Sequence, residues 1–388
     1  MATSAARPSF GVDTFLKAVG LAGFGFVLLV LALLQMLLFY QKAGGVLQFL
    51  MASFAALSVV PFYTGLILLL DRHEKEPGWL LLGALLWGGV VATFFSLIFN
   101  SIGSAILVAV FGPRLGEQLS APFVAPVVEE TSKGLAVLLI FLLWRREFTN
   151  TVDGLVYGAL AGLGFAATEN ILYFARFVRE GGAGGLAVGF VIRAVLGGLS
   201  HSVYTACTGA GLGYARETRG VGRFLAPVVG YFCAMFLHFL WNFSATFALP
   251  AVARSAGNAA LLMLPVMSFF IEGIPLLLLV VIAYFAWKRE VAAIREGLAD
   301  EVQAGTLSPE EVEVLTRPRE RSRHLWQVLT TRGPLAWNAV RQLYDAQVDL
   351  AFALWRLRRG EPVEQDVQAL RERVRVLRER ARGMGVAA

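Results

Sequence analysis

The sequence predicts an all-α polytopic membrane protein, with about eight transmembrane helices followed by a soluble helical extension at the C-terminus. Three observations lead there. Hydrophobic residues make up 57% of the 388 positions and charged residues only 16%, where an ordinary soluble domain carries about a quarter charged. Apolar runs of about 20 residues, enough to cross a bilayer, recur along the first three quarters of the chain. The charges are also segregated: residues 288–388 hold 18 of the 34 Lys and Arg and 15 of the 28 Asp and Glu. The chain therefore divides into a membrane domain, 1–287, and a charged, cytoplasmic helical domain, 288–388.

The candidate spans lie near 20–40, 46–70, 79–111, 124–144, 152–175, 187–213, 224–248 and 259–287. The first resembles a signal sequence, yet its apolar run is as long as a full span and no A-x-A cleavage site follows. The third is long enough to be tilted, or broken near Asn100 to Gly103. An even number of spans puts both termini on one side of the bilayer. Arg7, Lys17, Arg72, Lys75, Arg145, Arg146, Arg216, Arg219 and Arg223 flank that side, whereas Lys42, Arg114, Arg176, Arg179 and Arg254 flank the other. The excess of positive charge places both termini in the cytoplasm. The net charge of +6 is thus a topology signal, and no nucleic-acid partner is expected. Cys207 and Cys233 fall in apolar segments and suggest neither a disulfide framework nor a CxxC metal site.

The extension reads as helical. Ser308-Pro309-Glu310-Glu311 supplies an N-cap, a proline at the first helical position and a capping-box glutamate. Val363, Val367, Leu370, Val374 and Leu377 form a short heptad stripe that requires a partner helix. A bundle packing on itself is the plainer reading; self-association through this domain is the alternative.

Chemistry concentrates in 124–248. Glu129, Glu130 and Lys133 head the fourth span. An ionisable side chain at mid-bilayer costs about 2.5 to 3.5 kcal/mol on insertion scales, so adjacent carboxylates there imply a role. Two neighbouring carboxylates repel, which suits one to act as a base, and Lys133 can neutralise the other. The competing reading is a helix start marked by Pro122 and Pro126, with acids complementing the macrodipole. In the fifth span Gly154, Gly158 and Gly162 recur every fourth residue and form a close-packing face that Glu169 continues. A lone acid hydrogen-bonded between helices would be the default for Glu169 if nothing else polar converged.

His201 sits in a stripe of Gly197, Thr205 and Gly209, and His238 and Asn242 share one face of the seventh span. A single histidine on an apolar helix is more often a packing residue than a catalyst. Polar groups in lipid need partners, however, so mutual contact is the economical explanation for this set. Counting 1.5 Å per residue from the outer boundary gives depths of roughly 8 Å for Glu129, 9 Å for Glu169, 15 Å for His238 and 20 Å for His201. Such depths suit one cavity in the outer half of the bilayer. Glu272, in the eighth span, is left as either a packing residue or an accessory to the site.

These pieces, Glu-Glu-x-x-Lys at 129–133, Phe-x-x-x-Glu-Asn at 165–170, His201, and His-x-x-x-Asn at 238–242, resemble the PrsW family of intramembrane proteases. That family is related to the CAAX-type prenyl endopeptidases. The resemblance covers roughly four spans; the first three spans and the long charged extension match nothing in it. It implies hydrolysis of a peptide bond in a membrane-anchored protein, an anti-sigma factor being the associated substrate class. In the reading favoured here, Glu129 or Glu130 activates water, Glu169 orients it, His238 with Asn242 stabilises the oxyanion, and His201 completes the network or carries a proton. The alternative is a zinc ion held by some of Glu130, Glu169, His201 and His238, although no His-Glu-x-x-His motif occurs. Outside proteolysis, a proton- or ion-coupled transporter and a non-catalytic membrane partner are the competing classes. A transporter would show related halves, which are absent here.

Overall fold

The computed structural model describes residues 12–71, 75–145, 147–360, 363 and 366–386. Arg7, Arg72 and Arg146, used above for orientation, lie outside the described residues. All regular structure among the described residues is helical: α1 Val12–Ala43, α2 Val46–Ser58, α3 Val60–Leu68, α4 Gly78–Leu86, α5 Thr93–Phe111, α6 Pro113–Leu119, α7 Ala125–Leu143, α8 Thr151–Phe190, α9 Ser200–Glu217, α10 Gly222–Phe243, α11 Leu249–Ala256, α12 Met263–Ser268, α13 Ile274–Gln303, α14 Pro309–Thr316, α15 Pro318–Arg332, α16 Pro334–Arg358 and α17 Val367–Gly383. Among the described residues, six helical segments are long and apolar enough to cross a membrane: Gly23–Ala43, Val46–Leu68, Gly78–Phe111, Thr151–Glu217, Gly222–Ala256 and Met263–Gln303. Helix α7 is not among them because it carries Glu129, Glu130 and Lys133, all buried.

The segment Thr151–Glu217 is far too long for one crossing. Its backbone leaves the helical region at Gly182, with φ of 58°. A side chain at Gly185 or Gly189 would strike Phe177, which a straight helix would hold more than 10 Å away. The chain therefore reverses at Gly182. A second interruption follows: a π-helical turn, Val191–Leu196, runs into non-helical Gly197–Leu199 before α9 begins at Ser200.

Helix α8 is the centre of the membrane domain, and small residues put it there. An added Cβ at Gly154 would lie 2.0 Å from the Gly209 carbonyl oxygen of α9, and at Gly162 2.2 Å from that of His201. On the opposite face, one at Gly164 would lie 1.9 Å from the Leu85 carbonyl oxygen of α4. Backbone thus touches backbone on both sides. The first turn of α8 is fixed by a capping box, with the Asn150 side chain accepting from the N–H of Val152 at 2.6 Å and of Asp153 at 3.2 Å, and Asp153 accepting from the N–H of Asn150 at 3.0 Å.

The third apolar run departs from expectation. No break occurs at Asn100 to Gly103, which lie in unbroken α5; the irregularity is the π-helical turn Trp87–Ala92 between α4 and α5. Its cause is packing, since Gly88 and Gly89 of that turn lie directly on Ala161 and Gly164 of α8. Asn100 is satisfied by a partner described below.

The expected capping box opens α14, with Ser308 accepting from the N–H of Glu311 at 3.2 Å and Glu311 from that of Ser308 at 2.7 Å. Leu370, Val374 and Leu377 of the heptad stripe are buried in one core with Ala293, Ile294 and Leu298 of α13 and the apolar face of α16. The partner helix is therefore supplied by this chain. Helix α13 runs without interruption through residues 287 and 288, so membrane and polar regions share a rigid element. The Trp287 indole donates to the Leu70 carbonyl at 2.9 Å and Arg289 pairs with Glu217 at 2.6 Å. In the same region burial lifts the Asp71 carboxyl to about 6, against the pull of the Glu76 N–H, Lys75 and Arg321 of α15.

A branched side chain at the α8–α9 contact has nowhere to go. Gly154→Val is expected to force the helices apart at a cost of about 1–3 kcal/mol or more, lowering the melting temperature of detergent-solubilised protein. Gly65→Ala, where no atom lies within 4 Å of the added Cβ, is the matched control and should melt near the parent. Equal melting of both variants would contradict the close α8–α9 packing.

Candidate active site within the membrane

Helix α7 presents its charged residues inward. Glu130 is fully buried: its Oε1 lies 2.5 Å from Lys133 Nζ and 2.9 Å from His238 Nδ1, and its Oε2 accepts from Thr205 Oγ1 at 3.0 Å. Three protein donors thus occupy its two oxygens, and the group is bound up in the interior. Lys133 Nζ reaches on to His201 Nδ1 at 2.9 Å and sits 4.5 Å above the ring of Phe165. An ammonium only donates, so His201 accepts at Nδ1 and carries its proton on Nε2, which points at Glu169 Oε2 at 3.3 Å. The interruption at Gly197–Leu199 is what allows this, because it starts α9 afresh one residue before His201.

His238 has the opposite tautomer. Its Nδ1 faces a carboxylate that only accepts, so the proton sits there and the Nε2 lone pair is free. That lone pair faces Glu129 Oε2 across 3.8 Å, and this oxygen is buried with no hydrogen-bond partner, while Oε1 accepts from Asn100 at 3.0 Å. Two acceptors thus face each other inside the protein, too far apart for a hydrogen bond. A cation or a shared proton is needed between them. The His238 ring is fixed from its face as well, stacked on Tyr204 with centroids 5.4 Å apart.

Glu169 Oε2 also accepts from Arg193 of the Val191–Leu196 turn, while Arg193 Nε donates to Asn170 Oδ1 at 2.6 Å. Beside these groups opens a cavity of about 330 Å³, whose walls include Asn100, Glu129, Glu169, Arg193, His201, His238 and Asn242. A neighbouring hollow of about 230 Å³ shares Asn100, Glu129 and Glu169.

Of the residues predicted from sequence, Glu129, Glu130, Glu169, His201 and His238 thus meet in one network. Asn242 lines the cavity, but its amide donates to the Ala121 carbonyl at 2.8 Å. Glu272 is buried in the π-helical turn Phe269–Gly273, with Oε1 unpartnered and no place in the cavity wall. The expected difference in depth between Glu169 and His201 matches the packing: Gly162, about 10 Å before Glu169 along α8, lies directly against His201, and the two side chains bridge that rise. Sequence reasoning missed Arg193, Tyr204 and the binding role of Asn100. Arg193 did carry a signal, being an ionisable residue in an apolar run.

The donor set fits a metal ion. Ligand atoms of Glu129, His201 and His238 all lie within 4.8 Å of one another, and two histidines with a glutamate form a familiar catalytic zinc set. Glu130 behind His238 is the carboxylate that orients such a ligand. This trio contains Glu129, whereas the candidates taken from sequence were Glu130, Glu169, His201 and His238; Glu130 and Oε2 of Glu169 are engaged elsewhere. With its Nε2–H held on Glu169, His201 would ligate through Nδ1, which requires release of the Lys133 contact.

Comparison with known proteins bears on the same region. Residues 76–271 match the sequence profile described as PrsW family intramembrane metalloprotease. The protease PrsW of Geobacillus kaustophilus is 32% identical over 146 residues, 38% of this chain and 58% of that protein. That of Clostridioides difficile is 29% identical over 120 residues, 30% of this chain and 48% of that one. The Oceanobacillus iheyensis protease PrsW is 27% identical over 169 residues, 43% and 71% of the two chains. The chain thus spans about half to three fifths of the first two relatives. No solved structure matches.

The network makes Lys133 a main contributor to the stability of the buried site. Removing the cation strands Glu130 in the interior, a loss of about 3–5 kcal/mol for a broken buried pair. Lys133→Met should therefore melt well below the parent in detergent; unchanged stability would show that the pair is not buried as described.

Proposed function

Because the chain belongs to the PrsW family of intramembrane metalloproteases, we propose that it hydrolyses a peptide bond of a membrane-anchored protein in the cavity between α5, α7, α8, α9 and α10. The carrying observation is the buried, unpartnered Glu129 Oε2 facing the free lone pair of His238 Nε2 at 3.8 Å. Glu129, His238 and His201 hold the metal in this reading. A bound zinc-type ion would acidify a water and polarise the scissile carbonyl.

The chain's own groups do the rest. Glu169 keeps Oε2 on Arg193 and His201, which leaves Oε1 to take the proton of the attacking water and return it to the departing amine. Asn242 serves as an oxyanion donor once its amide leaves the Ala121 carbonyl. Glu130 anchors His238 and does not touch the substrate. Eight crossings are proposed, from the six apolar segments, α7, and division of Thr151–Glu217 at the Gly182 reversal alone, with both termini cytoplasmic and the cavity in the outer half of the bilayer. An anti-sigma factor is the substrate class that the family association suggests.

One observation favours a metal-free variant. With Lys133 on Nδ1 and the proton on Nε2, His201 offers no lone pair, so Glu129 alone would act as base toward a water beside His238. Metal analysis and chelator treatment separate the two. We expect about one zinc-type ion per chain, cleavage of an anchored reporter protein abolished by chelator and restored by the metal, and a loss of at least about 100-fold in Glu129→Gln. Chelator-resistant cleavage that still requires Glu129 would establish the metal-free route. Full cleavage by the Glu129→Gln, His238→Ala double variant would overturn both.

A further inference from the structure

The Glu169-Asn170 pair has a partner outside the matched motifs. Arg193 is largely buried, bonded through Nε to Asn170 Oδ1 at 2.6 Å and paired with Glu169 Oε2. Its guanidinium lies 3.7 Å from the centroid of the Tyr173 ring. All three partners belong to one stretch of α8 spaced at helical intervals, so the cation is gripped from two edges and a face. Its own segment is the π-helical turn Val191–Leu196, which widens the helix where Arg193 enters the cavity wall.

The geometry points to Arg193 as a positioning residue for the site, acting through Glu169 on His201, with Asn170 there to orient Arg193. Glu169 Oε2 is shared between Arg193 and His201 Nε2. Without the cation, Glu169 is a buried carboxylate lacking its main counter-charge, close to Glu129, and its hold on the His201 ring fails. Lysine can supply the charge but cannot reach Glu169 and Asn170 together, since it lacks the planar fork. This inference rests on the metal reading for its first readout and is independent of it for the second.

The test uses full-length protein in detergent, with Arg193→Gln, Arg193→Lys and Asn170→Ala variants. The first readout is zinc affinity by chelator competition; the second is turnover of an anchored reporter, split into kcat and KM. We expect zinc affinity to fall about 10-fold in Arg193→Gln, the lower end of the effect of removing a group bonded to a ligand, because Arg193 acts one contact further out through Glu169. Arg193→Lys should recover part of the loss, Asn170→Ala should fall between Arg193→Gln and the parent, and kcat should fall more than KM rises. If Arg193→Gln misfolds, Arg193→Lys and Asn170→Ala decide by the same ordering. Parent-like affinity and kcat in folded variants would overturn the proposal while leaving the metal site standing. A parent that binds no zinc would refute the metal reading, and the kcat ordering alone would then judge Arg193.

Discussion

The Glu130–Lys133 ion pair is the contact on which the rest of the site depends. A carboxylate and an ammonium buried together in a membrane domain survive only if each remaining donor and acceptor is matched. Matching them dictates the neighbours: Thr205 takes the second Glu130 oxygen, His238 shares the first, and Lys133 spends a donor on His201. Both histidine tautomers follow from this one pair. It leaves His238 with a free lone pair toward Glu129 and His201 with a proton toward Glu169. The chemical asymmetry of the two rings is therefore an electrostatic consequence of α7, read out on α9 and α10.

Close backbone packing carries that network. Glycines on both faces of α8 draw α9 and α4 to within backbone contact, which brings residues from separate helices within hydrogen-bond reach. The helices are then bent to fit. π-helical turns at Ser120–Val124 and Val191–Leu196 contribute Ser120, Ala121 and Arg193 to the cavity wall. Such turns cluster at functional sites because they redirect side chains without ending the helix.

The membrane class and the polar extension were legible because hydropathy and charge segregation are long-range averages, insensitive to local irregularity. Glu129, Glu130, Glu169, His201 and His238 were legible for a related reason: an ionisable residue in lipid has few alternatives to a partner. Their pairing was not. Glu130 and Glu129 look equivalent in sequence, and only the three-dimensional position of Thr205, Lys133 and His238 ties one into the ion-pair network and leaves the other with a buried, unpartnered oxygen. Arg193 was overlooked because its partners lie on another helix, where no spacing rule within its own segment finds them. The break expected in the third run near Asn100 is absent because Glu129 accepts from the Asn100 amide, so the polar residue does not disrupt the helix. Each miss is a tertiary contact overriding a local pattern.

Family membership and geometry now point the same way. The central claim is that the gap between Glu129 Oε2 and His238 Nε2 belongs to a metal ion. X-ray absorption at the zinc edge on the purified, zinc-loaded protein addresses it directly. The account predicts a first shell of nitrogen and oxygen at about 2.0–2.2 Å with imidazole scattering from two histidines, reduced in His238→Ala. A shell containing sulfur, or zinc surrounded only by solvent oxygen while the protein remains active, would contradict it.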